Sequence, residues 1–182
     1  GSFLDNKRVV LVAAPHQSGK DEYLMILIIL ALDVDVCYLS AKWTMRRIPN
    51  PFEKSKDIDD QGIKWPLGWL QEIIFRRFGA IPVDRKGNSG QYHSVIEELK
   101  KRDSFLLIVT PEGRFDATRF RTSFLFIAKE LNAEVMPVQI DYENERFNIL
   151  ESFNIEGDTE SVVKNLRLKF DGVKGKKSRF KA

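Results

Sequence analysis

Apolar residues along the chain alternate between continuous runs typical of buried strands and the spacing of amphipathic helices. The continuous runs predict strands over residues 8–13, 34–41, 80–84, 104–110 and 133–140, with a further extended element over 146–155. Apolar positions three and four residues apart predict helices over residues 20–32, 67–78, 91–102, 119–131 and from 158 to about 170. This alternation predicts an α/β fold: a single domain with a largely parallel sheet and helices on both faces.

The pattern also suggests where the domain ends. Gly1 and Ser2 are typical of residues left by cloning, so we take the domain as residues 3–170 and interpret 171–182 as a basic tail. The most apolar run, residues 23–32, has ten residues, whereas a membrane-spanning helix needs roughly 20. We therefore expect this run to form a core helix.

Residues able to transfer protons or bind anions follow the predicted strands. They are His16, Lys42, Arg85, Glu112 and Asp141. In parallel α/β sheets, ligand sites form at the carboxyl ends of the strands. We therefore expect the functional site at this edge of the sheet.

His16 and Asp21 are the most informative of the candidate residues. Within one helix, residues five positions apart point about 140° away from each other, so contact requires His16 in the loop and Asp21 in the first helical turn. The carboxylate could then orient the ring and leave its other nitrogen to accept a proton. A second interpretation stays open, because Ser18 and Asp21 also form a capping-box pattern. That pattern explains Asp21 but not His16.

Three further segments carry candidate chemistry. Arg85 ends a short apolar strand and suits a phosphate, although it could instead pair with Asp84 at the surface. Glu112, Gly113 and Arg114 follow the next strand, either as part of a site or as a tight turn with an exposed ion pair. The third segment, 135–138, is a strand that contains a proline, which predicts a sheet edge or a strand end.

These segments resemble, in order, the four sequence blocks of the glycerolipid acyltransferase family, the 1-acylglycerol-3-phosphate acyltransferase-like enzymes. The blocks are His-x4-Asp, a segment ending Ile-Pro-Val-Asp-Arg, a Pro-Glu-Gly segment and a later apolar segment with proline. All four occur between residues 9 and 141. One block would be weak evidence, whereas four in this order make a specific resemblance.

The resemblance implies roles for individual residues. His16 would be the general base and Asp21 would orient it. The acceptor hydroxyl would attack the thioester of acyl-CoA or acyl-carrier-protein, a co-substrate rather than a bound cofactor, without an acyl-enzyme. Arg85 would bind the phosphate of a lysophospholipid or glycerol-phosphate acceptor. Glu112 and Gly113 would complete the acceptor pocket.

The chain departs from the family pattern at two places. Gly19 and Lys20 stand where the first block usually has a hydrophobic or aromatic residue. The third block reads Pro-Glu-Gly-Arg-Phe-Asp rather than Pro-Glu-Gly-Thr-Arg-Ser, so either Arg114 takes the role of the arginine or Phe115 replaces it. These departures leave the acceptor open. They also leave open a non-catalytic module that binds a lipid or an acyl carrier on the same fold.

Composition excludes several other classes of protein. The 182 residues are 43% hydrophobic and 30% charged, with a net charge of +3, which does not argue for a nucleic-acid partner. Cys37 is the only cysteine, so no internal disulfide can form, and we expect a structural role in the core. No cluster of histidine and cysteine predicts a metal site.

Two features suggest contact with lipid. The tryptophans Trp43, Trp65 and Trp69 flank an irregular segment, where they either pack normally or line a groove near a membrane surface. The basic residues of 171–182 would form a solvated, disordered end or contact anionic lipid. We expect a cytoplasmic protein, peripheral on the cytosolic membrane face.

Overall fold

The computed structural model describes residues 7–17, 21, 36–48, 62–83, 90–112 and 120–181. Most of the predicted helix at 20–32 lies outside these ranges, although Asp21 itself has a helical backbone. The described strands are β1 (Arg8–Ala14), β2 (Val36–Ala41), β3 (Arg47–Ile48), β4 (Ile63–Lys64), β5 (Ala80–Val83), β6 (Phe105–Val109), β7 (Glu134–Asp141) and β8 (Arg146–Ile149). The described α-helices are α1 (Gly68–Arg77), α2 (Gly90–Lys100), α3 (Ser123–Glu130) and α4 (Thr159–Phe170).

Six of these strands form one sheet in the order β5-β2-β6-β1-β7-β8. The pairs from β5 to β7 are parallel, and β8 is antiparallel to β7 at one edge. β3 and β4 pair separately as a short antiparallel ribbon. The predicted α/β fold with a largely parallel sheet is confirmed.

β1 lies in the middle of the sheet and is buried on both faces. Val10 and Val12 contact the larger core cluster, whereas Val9 and Leu11 contact the smaller one on the opposite face. A strand covered on both faces needs apolar residues at successive positions, which explains the unbroken run. Cys37 is fully buried in the core, as expected.

The described helices that reach the core all contact the larger cluster. Residues of α2, α3 and α4 belong to it, and α4 begins at the predicted cap, where Asp158 accepts a hydrogen bond of 2.9 Å from the Ser161 amide. The described part of the chain therefore shows helices on one face. The helix predicted at 20–32 lies outside the described residues, and helices on both faces stay a prediction.

Pro137 does not lie where its presence in a strand led us to expect it. Pro137 lies inside β7, a strand with neighbours on both sides, rather than at a sheet edge or strand end. Its missing N–H coincides with the end of the β7–β8 ladder at Val138. Pairing resumes between Val135 and Phe153. A regular register would pair Val135 with Ser152, so one extra residue lies opposite the proline and forms a bulge.

The apolar residues whose spacing predicted α1 are exposed in the structure. Leu70, Ile73 and Phe78 have 38%, 57% and 55% of their surface exposed, so this side of the helix does not pack against the core. The helix is followed by Gly79, which has a φ of +82°, and a Cβ there would lie 2.0 Å from the carbonyl oxygen of Val36. Only glycine permits this approach of the chain to β2.

Residues 171–181, predicted as a separate basic tail, pack on the domain. Phe180 is buried and its ring lies 5.4 Å from that of Phe120 and 6.0 Å from that of Phe170. The Phe180 amide donates to the Val173 carbonyl at 2.8 Å. We call this segment the C-terminal hairpin. Of the two alternatives given for this segment, the disordered end does not agree with this packing, because one aromatic residue anchors the surrounding charged residues.

Phe180→Ala should lower the free energy of unfolding by about 3 kcal/mol, because it removes a buried aromatic side chain and leaves a cavity. Phe78→Ala is the matched control, since Phe78 is more than half exposed and its loss should cost less than about 0.5 kcal/mol. Urea unfolding of both variants measures the difference. Equal effects would show that the C-terminal hairpin does not belong to the core.

Candidate active site

Three neighbouring strands bring the candidate residues together at their carboxyl ends. β6, β1 and β7 are adjacent in the sheet. Glu112 follows β6, His16 follows β1 and Tyr142 follows β7. Parallel strands end at the same edge of a sheet, so residues distant in sequence meet there.

His16 and Asp21 touch. The Nδ1 atom of His16 lies 3.2 Å from Oδ2 of Asp21, and the two side chains are 6% and 0% exposed. The contact has ion-pair distance, although its angle is not that of a regular hydrogen bond. A carboxylate beside Nδ1 favours the proton on that nitrogen, so Nε2 becomes the ring atom able to accept one.

Two further donors hold the carboxylate of Asp21. The Gln17 amide donates to Oδ2 at 2.9 Å, and the Tyr142 hydroxyl donates to Oδ1. A buried carboxylate is costly unless its oxygens accept hydrogen bonds, and these donors meet that need. Tyr142 was missed in the sequence. Its position directly after β7 is the signal that could have found it.

Glu112 holds the backbone of His16. Both of its carboxylate oxygens lie 3.2 Å from the His16 amide nitrogen, which donates to them. Burial raises the pKa of Glu112 to about 7, against the opposing effect of that hydrogen bond. Glu112 therefore fixes the loop that presents the imidazole.

Asp141, which also lies at the end of a strand, stabilises the turn that follows it. Its Oδ1 accepts hydrogen bonds from the amides of Glu143 and Asn144 at 3.0 and 3.3 Å. The side-chain amide of Asn144 donates to Oδ2 at 2.7 Å and is the main cause that holds the pKa of Asp141 below its ordinary value, and the two backbone bonds add to this effect. The turn places Tyr142 against Asp21.

A groove of about 1030 Å³ opens on the same edge of the sheet, beside β5. Its described lining includes the basic residues Lys42, Arg46, Arg47, Lys64 and Arg76. It also includes the three tryptophans, Trp43, Trp65 and Trp69. Its carboxylate Glu72 pairs with Arg46 and Arg76. The groove is therefore cationic with aromatic walls, which suits an anionic ligand with an apolar part.

The groove and His16 lie at different positions along the edge. Pro82 and Val83, at the end of β5, belong to the lining, whereas His16 does not belong to its described part. β2 and β6 separate β5 from β1, so three strand spacings correspond to roughly 14 Å. An extended ligand could reach from one to the other.

Comparison with known proteins finds one family match, which covers part of the domain. A family model described as Acyltransferase matches residues 63–141, which contain three of the four blocks. Residues 63–141 therefore match the acyltransferase domain of the glycerolipid acyltransferase family. A comparison with curated protein sequences finds no significant match.

The matched range contains only part of the predicted site. It covers Glu112 and the segments around Arg85 and Arg114, but His16 and Asp21 precede it. The structure brings His16, Asp21 and Glu112 together. Arg85, Gly113 and Arg114 lie outside the described residues, and their roles stay predictions.

The described ranges contain neither a metal-binding cluster nor a membrane-spanning helix. There, no three His, Cys, Asp or Glu side chains cluster as a metal ion would require. No helix of the described chain combines the length and apolar character needed to cross a bilayer.

Glu112→Gln should remove a pH dependence of stability. A carboxyl whose pKa is raised from 4.5 to about 7 on folding keeps a proton that the unfolded chain releases. The wild type should therefore lose about 2 to 3 kcal/mol from this group between pH 5 and pH 8, as stability falls with rising pH. Urea unfolding at both pH values measures it. A variant with the same loss as the wild type would contradict the burial of Glu112.

Proposed function

We propose that this acyltransferase moves a fatty acyl group from acyl-CoA or acyl-carrier-protein to a hydroxyl of a lysophospholipid or glycerol-phosphate-type acceptor. The observation that carries the proposal is the contact between His16 and Asp21 at the sheet edge of an acyltransferase-family domain. The family implies an acyl donor and a lipid acceptor in general. The identities of donor and acceptor belong to the proposal.

The proposed reaction needs one base and no covalent enzyme intermediate. Nε2 of His16 takes the proton of the acceptor hydroxyl as its oxygen attacks the thioester carbonyl carbon. The tetrahedral intermediate collapses, the carbon–sulfur bond breaks, and the leaving thiolate receives the proton from His16. Asp21 stabilises the imidazolium formed between these steps. An ester and a free thiol are the products.

The cationic groove supports an anionic acceptor. It begins where β5 ends, and Arg85 follows two residues after Val83. Guanidinium groups bind phosphate through paired N–H donors. A phosphate held in the groove would leave the glycerol portion to extend along the edge towards His16.

We also propose a peripheral, cytosolic membrane location, now supported by α1 rather than by residues 171–181. α1 exposes Trp69, Leu70, Ile73 and Ile74 on the outside of the domain. Arg77 lies among them, and the basic lining of the groove is adjacent. An apolar face bordered by cations is complementary to a bilayer with anionic headgroups.

His16→Ala should lower turnover by about 10²- to 10⁴-fold, the usual contribution of a positioned base, without loss of the fold. His93→Ala is the matched control, because His93 is the only other histidine and is exposed. Thiol release and mass spectrometry of lipids formed from a panel of lysolipids, glycerol phosphates and acyl thioesters measure the reaction.

The same panel separates enzyme from binding module. Wild-type protein that releases no thiol with any donor and acceptor, yet binds lipid or acyl carrier, would favour the non-catalytic alternative. Equal turnover in the His16 and His93 variants would remove His16 from the mechanism.

A double variant, Leu70→Ser with Ile73→Ser, should lose most flotation with vesicles of phosphatidylcholine and phosphatidylglycerol, because it removes two exposed apolar side chains from α1. Ile149→Ser with Leu168→Ser is the control, since both are exposed by more than half elsewhere. Equal loss in both variants would contradict a membrane role for α1. A dimer by light scattering that only the α1 variant abolishes would assign this face to a second copy.

A further inference from the structure

The C-terminal hairpin contacts the loop that carries His16. The side-chain oxygen of Gln17 accepts hydrogen bonds from the amides of Lys177 and Ser178 at 2.8 and 3.0 Å. Its side-chain nitrogen donates to the Ser178 hydroxyl at 3.0 Å. The backbone amide of the same Gln17 donates to Asp21. Gln17 thus connects the hairpin to the carboxylate beside the imidazole.

A second connection runs through Tyr142. Its backbone amide donates to the carbonyl of Lys174 at 2.8 Å, while its hydroxyl donates to Asp21. The next residue, Glu143, accepts hydrogen bonds of 2.6 and 2.9 Å from the guanidinium of Arg179. The hairpin therefore holds both residues that donate to the two oxygens of Asp21.

The hairpin also packs closely against the loop. A Cβ at Gly175 would lie 2.5 Å from the side-chain oxygen of Gln17 and 2.8 Å from Cγ of Pro15. A residue larger than glycine must displace the Gln17 side chain or the proline ring. At its other end the hairpin is anchored by Phe180 in the aromatic cluster with Phe120 and Phe170.

We propose that the C-terminal hairpin is a positioning element of the active site, which fixes the Asp21 carboxylate against His16 through Gln17 and Tyr142. The proposal rests on the proposed function. Donors on both oxygens prevent rotation of the carboxylate, so Oδ2 stays beside Nδ1 of His16. Tyr142 and Gln17 are positioning residues, since they act through Asp21.

Removing the hydroxyl of Tyr142 tests the proposal. Tyr142→Phe should lower kcat about tenfold and leave KM within about twofold, because the acceptor site is untouched while the base is less well oriented. Tyr92→Phe is the control, as Tyr92 is a half-buried tyrosine of α2 packed on the core. Gln17→Ala and Gly175→Ala should lower kcat in the same direction, with KM again unchanged.

A measurement that needs no substrate tests the positioning proposal independently of the proposed function. In a His93→Ala background, His16 is the only histidine, and the nitrogen chemical shifts of its neutral ring report which nitrogen carries the proton. Without the Tyr142 hydroxyl the Asp21 carboxylate can turn away from Nδ1, so Tyr142→Phe should lower the fraction of rings that carry the proton on Nδ1. Glu112, the other carboxyl group that contacts His16, is unchanged in every variant of this comparison, so it does not cause a difference between them.

The outcomes are distinct. An inactive wild type would end the proposed function, and the position of the proton on the His16 ring would still decide whether the hairpin positions Asp21. An unchanged proton position and an unchanged kcat in Tyr142→Phe would overturn the positioning proposal. A change of the same size in Tyr92→Phe would also overturn it, because the effect would then be one of general packing.

Discussion

The buried carboxylate of Asp21 is the group on which the arrangement around His16 depends. An ionised side chain without access to water is tolerated only where donors surround it. Here these are Gln17 and Tyr142, with Nδ1 of His16 at ion-pair distance. They come from two different strand ends, so the sheet must form in its native order before the carboxylate is satisfied. The cost of burying Asp21 thereby links the geometry of the site to the fold.

A second carboxyl group, Glu112, holds the same loop from the other side. It binds the backbone of His16 rather than the ring, and burial raises its pKa to about 7. The two acids therefore have different environments and different tasks. Asp21 determines the orientation of the imidazole, while Glu112 determines the position of the chain that carries it.

The carboxyl edge of the sheet has two regions that differ in burial and charge. Around β1 the polar groups are buried and mutually bonded, as proton transfer by a base of fixed orientation requires. Around β5 the groove is open and cationic, and α1 next to it exposes apolar residues. The amphipathic acceptor that we propose would use both regions, since its charged part and its apolar part would be held while its hydroxyl reaches the buried end.

The sequence by itself predicted the parallel α/β sheet, the approximate strands and helices, and the resemblance to the family, and it gave contact of His16 with Asp21 as one of two interpretations of that segment. These follow from local periodicity, helical geometry and short motifs, which residues close in the chain encode. It did not reveal Tyr142, the backbone bond of Glu112, the outward face of α1 or the packing of the C-terminal hairpin. A tyrosine 121 residues from Asp21 becomes its partner only when β7 lies beside β1. Tertiary structure decided these features, because strand order and burial are set by the whole chain rather than by neighbouring residues.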